Sequence, residues 1–225
     1  MILILGSERD PEALAARSFL GPSGAMLLSV RDLSCPGWKL NTSAPGQGSF
    51  VAEGSLCQIS AISGVLVRRF AVYPQELSHI MEEDREYVAA ELTALLMWWL
   101  ATLPVPVVNG PGEGSLCGPG WRQEKWRCTA AALGIPAIER IRCSTKLQPI
   151  DTMHVNEVLV LNGTVIKYPS PKAAESALRL ADAAGCKLLQ AAFNSEGEFV
   201  FANAMPAPCE ELLRPLDGMC KGSNQ

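Results

Sequence analysis

Four consecutive apolar residues, Ile2-Leu3-Ile4-Leu5, run into the turn Gly6-Ser7-Glu8-Arg9 and then into Asp10-Pro11. That arrangement constrains the fold more than any other stretch of the chain. A short run of β-branched and leucine residues predicts a strand. Aspartate followed by proline is the pattern of an N-cap and a first helical residue, because proline lacks the N–H that the first turn would leave unpaired. The helix opened there is closed by Gly21-Pro22-Ser23-Gly24, and Ala25 to Val30 reads as the next strand. Strand, helix and strand in quick succession begin a parallel α/β sheet. Gly64 to Val67 reads as a third core strand, and Val105 to Val108 as a further one.

Residues 31–60 are rich in Gly, Ser and Pro and are expected to hold short strands around Lys39-Leu40-Asn41 and Ser49-Phe50-Val51. A helix is expected over residues 82–103. Its opening acids (Glu82, Glu83, Asp84, Glu86) suit the positive end of the helix dipole, and Tyr87, Leu92, Leu95, Leu96, Trp98, Trp99 and Leu103 give it a very broad apolar surface. Such a helix is expected to be buried on both sides, against the sheet and against a second domain or a second subunit, so a homodimer is one candidate assembly. Five glycines among the eleven residues Gly110 to Gly120 read as a linker. The domain boundary is therefore set at 111/112, giving domains 1–111 and 112–225.

Beyond it, a helix over 122–133 ends on Gly134 with Pro136 following, a C-cap pattern. Val155–Val160 and Thr164–Lys167 flank Asn162-Gly163, the preferred two-residue hairpin turn. Pro171 opens a helix to Ala184, stopped by Gly185. A second hairpin joins Leu188–Asn194 to Glu198–Ala202 over Ser195-Glu196-Gly197.

A net charge of −4, with Arg68-Arg69 as the one doubled basic pair, argues against a nucleic-acid surface. The charge-free stretch Leu92 to Val108 is broken by Pro104 and Pro106, so no membrane span is expected. Eight cysteines show no CxxC spacing, and no secretory signal precedes them. They are expected to be reduced, mostly buried thiols of a cytoplasmic protein. His79 and His154 are too far apart to suggest a zinc site. Gly112-Glu113-Gly114 lies between a strand and a helix, as phosphate cradles do, but Cys117 stands where the third glycine would be. A flexible interdomain loop is the plainer reading. Cys117 is expected to be an exposed loop thiol.

The order of these motifs carries a resemblance. Gly64 to Val67 ends on Arg68-Arg69, an apolar helix follows around Glu91, then the strand leading to Asn109-Gly110-Pro111, then a helix led by Lys125 and closed by Gly134-Ile135-Pro136. The series resembles the entry half of ATP-grasp carboxylate–amine ligases, most closely the RimK-like, microviridin-type branch whose members ligate peptide side chains. The fold class that follows is α/β: a parallel-sheet domain like the one that precedes ATP-grasp modules, then a reduced ATP-grasp-like α+β module. The resemblance implies ATP and Mg²⁺ as cofactors. It implies Lys125 as a phosphate contact, with Lys146 as the one lysine of the shortened segment Ala137 to Thr152, where the family carries a lysine-bearing subdomain. It implies Arg68 and Arg69 as substrate contacts. Each has an alternative: Lys125 as a solvated first-turn residue, and the arginines in ion pairs with Glu91 or an acid of 82–86.

The last hairpin, Gly185 to Pro208, is similar to the family's metal-binding hairpin, in which an acid on one strand and a Glu-x-Asn triplet on the next hold Mg²⁺. Asn203 stands at the asparagine position. Phe201, or Ala202 in another register, stands at the glutamate position, and Gln190 or an apolar neighbour at the first acid. The metal site reads as dismantled. Two function classes follow: a non-catalytic ATP-grasp relative binding a small molecule, peptide or partner protein in the cleft between its domains, or, alternatively, an active ATP-dependent ligase acting through an acyl phosphate. The missing acids and the missing subdomain favour the first.

Overall fold

The computed structural model describes residues 1–21, 24–138, 155–168 and 170–222, with backbone alone at 216, 217 and 219–222. It divides into two compact units, Met1–Gly120 with Ala207–Gln225, and Trp121–Pro206. The division thus falls at 120/121, and the C-terminal segment groups with the first unit.

In the first unit, β1 (Ile2–Leu5) leads through α1 (Pro11–Leu20) to β2 (Ala25–Leu28). Asp10 is the N-cap of α1, its carboxylate accepting from the Glu12 N–H at 2.9 Å. The second strand stops at Leu28, short of the expected Val30. Ser29 and Asp32 close a reciprocal cap that turns Val30 into the first residue of α2 (Val30–Leu33). A small antiparallel sheet follows, β3 (Lys39–Leu40), β4 (Gly48–Ala52) and β5 (Ser55–Gln58), in the order β3-β4-β5. Then come β6 (Gly64–Val67), α3 (Arg85–Thr102) and β7 (Val107–Val108). β1, β2, β6 and β7 form a parallel sheet in the order β2-β1-β6-β7, with all of β1 and β6 buried. β7 is shorter than the predicted strand because Pro104 and Pro106 lack the N–H a ladder needs.

Helix α3 starts after a 3₁₀ turn over Glu82–Asp84. Ala89, Leu96, Trp99 and Leu100 are its buried residues, and Trp99 meets Trp38 and Phe50 at ring-centroid distances of 5.4 and 5.8 Å. In the single chain the helix is open on part of its surface: Tyr87 is 69% and Leu95 38% exposed. No helix among the described residues is long and apolar enough to cross a membrane.

The second unit holds α4 (Gln123–Ala132), β8 (Asn156–Leu161), β9 (Thr164–Lys167), α5 (Pro171–Ala183), β10 (Leu188–Phe193) and β11 (Phe199–Asn203). The strands form an antiparallel sheet, β11-β10-β8-β9. At the predicted turn between β8 and β9, Asn162 and Gly163 both have positive φ, 53° and 74°, as the tight hairpin requires. Trp126 and Ala130 of α4, with Ala173, Ala177, Leu180 and Ala181 of α5, cover one face of this sheet. The last helix, α6 (Glu210–Gly222), packs on α1 of the first unit.

Candidate functional site

The register of the second unit's sheet sorts the final hairpin by face. Gln190 lies opposite Asn203, Ala191 opposite Ala202 and Ala192 opposite Phe201. Directly opposed residues share a face and successive residues alternate. Ala191 and Ala202 belong to the core under α4 and α5, together with Val158 and Val160 of β8. Gln190, Asn203, Ala192 and Phe201 therefore lie on the other face, the one that α4 and α5 do not cover. β8 adds Glu157 beside Ala192 and Leu159 beside Gln190, and β9 adds Lys167 beside Leu159. Sequence reasoning missed Glu157; the alternation along β8 was the signal that could have placed it on this face.

Of the two candidates for the glutamate position of the resemblance, Phe201 shares the face of Asn203 and Ala202 faces the core. Asn203, the expected metal ligand, is half-buried and engaged with its own turn. Its Oδ1 accepts from the Met205 N–H at 2.9 Å and its Nδ2 donates to the Met205 carbonyl at 3.1 Å. The face thus offers one carboxylate, Glu157, two neutral amides, and apolar side chains where the family pattern has acids. A Mg²⁺ ion that bridges phosphates needs oxygen ligands, commonly one or two carboxylates, in near-octahedral order. These residues do not fit it, and among the described residues no group of three or more His, Cys, Asp or Glu side chains could hold a metal ion.

Lys125 stands in the first turn of α4, exposed, with its Nζ 5.2 Å from the centroid of the Trp121 ring. That is a cation–π contact of about 0.5–1 kcal/mol at an exposed site. The helix start is pinned by Gln123, whose side chain acts as a strand would. Its Nε2 donates to the Ala202 carbonyl at 2.8 Å and its Oε1 accepts from the Ala202 N–H at 3.3 Å. No hydrogen bond joins Lys125 to Asn203. Lys146 lies outside the described residues.

Arg68 and Arg69 belong to the first unit and are both buried. Arg68 donates from Nε to Asp10 at 3.2 Å and from Nη2 to Glu12, fastening the end of β6 to the start of α1. Arg69 donates from Nη2 to both oxygens of Glu76 at 2.6 Å and from Nε to the Ala71 carbonyl at 3.1 Å. Its Nη1 is buried without a hydrogen-bond partner. The arginines are paired as the structural alternative supposed, but with Asp10, Glu12 and Glu76 instead of Glu91 or the acids of 82–86.

The glycine-rich loop is hydrogen-bonded and buried at its centre, while Glu113, Gly114 and Gly120 are exposed. The Leu116 N–H donates to the Phe70 carbonyl at 2.8 Å and Gly118 to Asn109 at 2.9 Å, while Ser115, Leu116 and Cys117 are buried. Gly112 has to be glycine, because a Cβ there would stand 2.7 Å from the Gly118 oxygen. Cys117 is fully buried, its thiol 3.2 Å from the Val67 carbonyl, so the expected exposed thiol is corrected. All six described cysteines are free; Cys117 and Cys186 are buried, Cys128 is exposed, and the others lie between, so "mostly buried" is corrected too. Burial pushes the Cys186 thiol up to about 12.

No family model matches the chain, and no curated protein matches it. Solved structures do. The ATP-grasp ligase PsnB complexed with its minimal precursor is 13% identical, with a TM-score of 0.66 over 99% of either chain. The macrocyclase MdnC of Microcystis aeruginosa MRC, bound with precursor peptide MdnA, is 11% identical, with a TM-score of 0.65 over 99% of this chain and 100% of that one. A RiPP-associated ATP-grasp ligase of Chryseobacterium gregarium, in complex with ADP and a leader and core peptide, is 12% identical, with a TM-score of 0.57 over 98% and 95%. At such identities the likeness speaks for architecture alone: this chain has the fold of the ATP-grasp ligases.

Proposed function

We propose that this chain is a peptide-binding, non-catalytic relative of the ATP-grasp peptide ligases. The observation that carries the reading is the Ala192–Phe201 rung of the last hairpin. Two apolar side chains face each other there, beside the Gln190–Asn203 rung of the hairpin that the resemblance makes the metal-binding one, and neither offers the oxygen that metal-dependent phosphoryl chemistry needs. Peptide is the partner because the structures sharing the fold hold precursor peptides. A chain that keeps the fold without the metal donors retains a reason to exist as a binder.

The test has two arms. Calorimetry of ATP with and without Mg²⁺, on wild type and Lys125→Ala, is expected to give weak binding that Mg²⁺ does not strengthen and that Lys125→Ala reduces. Panning a displayed peptide library on the nucleotide-free protein is expected to enrich peptides that bind saturably. Tight Mg²⁺-dependent binding with turnover to ADP would overturn the non-catalytic reading and put the ligase in its place. Failure to enrich any peptide would overturn the binder.

A further inference from the structure

The first unit carries a cleft of about 660 Å³ that the metal and nucleotide pattern does not touch. Its walls come from the carboxyl ends of the parallel strands. Ser7 and Arg9 follow β1, Ser29 and Arg31 follow β2, and Ser34 and His79 also line it, hydrogen-bonded to each other with His79 Nε2 2.8 Å from Ser34 Oγ. The strand order β2-β1-β6-β7 means the chain moves outward from β1 to β2 and then returns to the far side of β1. Open α/β sheets bind ligands at this kind of reversal, outside the carboxyl ends.

The charge inside decides the class of ligand. Glu76 lines the cleft, but both its oxygens accept from Arg69 at 2.6 Å and one also accepts from the Tyr73 N–H at 3.0 Å, so its charge is taken up from behind. Asp10 and Glu12, on the neighbouring turn, are held by Arg68. Arg69 thus offsets the one acid of the three that lines the cleft, while Arg68 alone faces both Asp10 and Glu12, which leaves one net negative charge outside the lining. What remains is Arg9 and Arg31, exposed and with no partner for either guanidinium among the described residues, against one exposed acid, Glu8. Guanidinium forks and serine hydroxyls together are the chemistry of oxyanion recognition.

We infer that this cleft binds a small organic anion through Arg9 and Arg31, with the exposed hydroxyls of Ser34 and Ser78 at its rim. The shared headgroup chemistry is a carboxylate or a phosphate monoester, and a volume of this size suits a molecule of dipeptide or sugar-phosphate dimensions. The site lies wholly within the first unit and stands whether or not the second unit binds nucleotide or peptide.

Titration of the full chain with ribose 5-phosphate in one arm and N-acetyl-aspartyl-glutamate in the other distinguishes the two headgroups. Binding is read by calorimetry and by the arginine Nε–H resonances of ¹⁵N-labelled protein. Saturable binding of one probe is expected, weakened about tenfold or more by Arg9→Gln/Arg31→Gln and unchanged by Lys125→Ala. Both arginines are exposed, so the variant is expected to fold, which its thermal melt confirms. Absence of saturable binding in both arms would overturn the inference. So would binding that survives Arg9→Gln/Arg31→Gln, or that falls equally in Arg214→Gln, a surface arginine of the same unit outside the cleft.

Discussion

Replacing Glu76 by glutamine removes one charge from a pair whose other member cannot reach water. The Arg69 side chain is 5% exposed and that of Glu76 27% exposed. In the wild type, Nη2 of Arg69 donates to both carboxylate oxygens and Nη1 has no partner. A glutamine keeps one acceptor and puts an NH₂ group where the second oxygen was, so the guanidinium loses its counter-charge and meets a donor. Breaking a buried ion pair from one side costs about 3–5 kcal/mol, and the partial exposure of Glu76 admits enough water to bring this to about 2–3 kcal/mol. Arg69→Met removes the buried cation instead. It fills similar space and leaves Glu76 with the Tyr73 N–H and solvent, so the expected loss is about 1 kcal/mol or less. The double variant is expected to resemble Arg69→Met, because the penalty belongs to the orphaned charge and not to the missing contact. Urea unfolding followed by tryptophan fluorescence measures all three. Glu76→Gln should lower the midpoint by about 1 M or more at an ordinary urea dependence. An unchanged midpoint in Glu76→Gln, or a larger loss in Arg69→Met, would refute the reasoning and return Arg69 to the candidate ligand contacts.

Three further outcomes are expected. Leu96→Ala should cost about 2–5 kcal/mol because Leu96 is fully buried, while Leu95→Ala, one residue away and 38% exposed, should cost about 1 kcal/mol or less in the same urea series. Glu53 accepts from Arg17 at 2.7 and 3.1 Å and from the Leu27 N–H at 3.0 Å. The Arg17 hydrogen bond, opposed by burial and aided by the Leu27 N–H, holds its carboxyl below the ordinary value. Its stabilisation is therefore complete at neutral pH and lost as pH falls through that depressed value, so melting temperatures of wild type and Glu53→Gln should differ at pH 7 and converge in acid. In native protein without reductant, a chromogenic thiol reagent should reach exposed Cys128 at once and Cys186 only slowly, since burial pushes that thiol up to about 12. Equal rates for the two would contradict the packing around Cys186.

What could be read from the sequence was what short-range chemistry decides. Asp10-Pro11 opens α1, and Asn162-Gly163 turns the hairpin, because each is fixed by the φ and hydrogen bonds of neighbouring residues. Ser29 and Asp32 had the spacing of a reciprocal cap, yet the apolar run from Ala25 to Val30 masked it and overextended β2. The arginine partners were out of reach for a different reason. Arg68 finds Asp10 and Glu12 only because β1 and β6 lie side by side, 58 and 56 residues apart in the chain. Composition also misled. The glycines of 110–120 suggested looseness, whereas at Gly112 the missing side chain permits a close approach of backbone to backbone. On α3 an almost unbroken apolar surface left no polar stripe to say which side faces solvent. Hydrophobicity alone could not say that Tyr87 and Leu95 lie exposed on the single chain.

The final hairpin shows where a sequence argument needs one structural fact to close. Phe201 and Ala202 were equal candidates for the position a metal-binding glutamate would hold, because a slip of one residue exchanges the faces of a strand. Cross-strand pairing of Ala191 with Ala202 puts that pair in the core under α4 and α5. Phe201 is thereby fixed on the face with Gln190 and Asn203, and its partner on the rung is an alanine. Neither side chain of that rung carries an oxygen that could ligate a cation. Glu157, beyond Ala192 on the same rung, is one strand further from Phe201 and about 10 Å across the sheet from it. One acid at that separation does not rebuild the cradle. The face thus carries an aromatic ring between two amides, with one acid and one lysine at its margin.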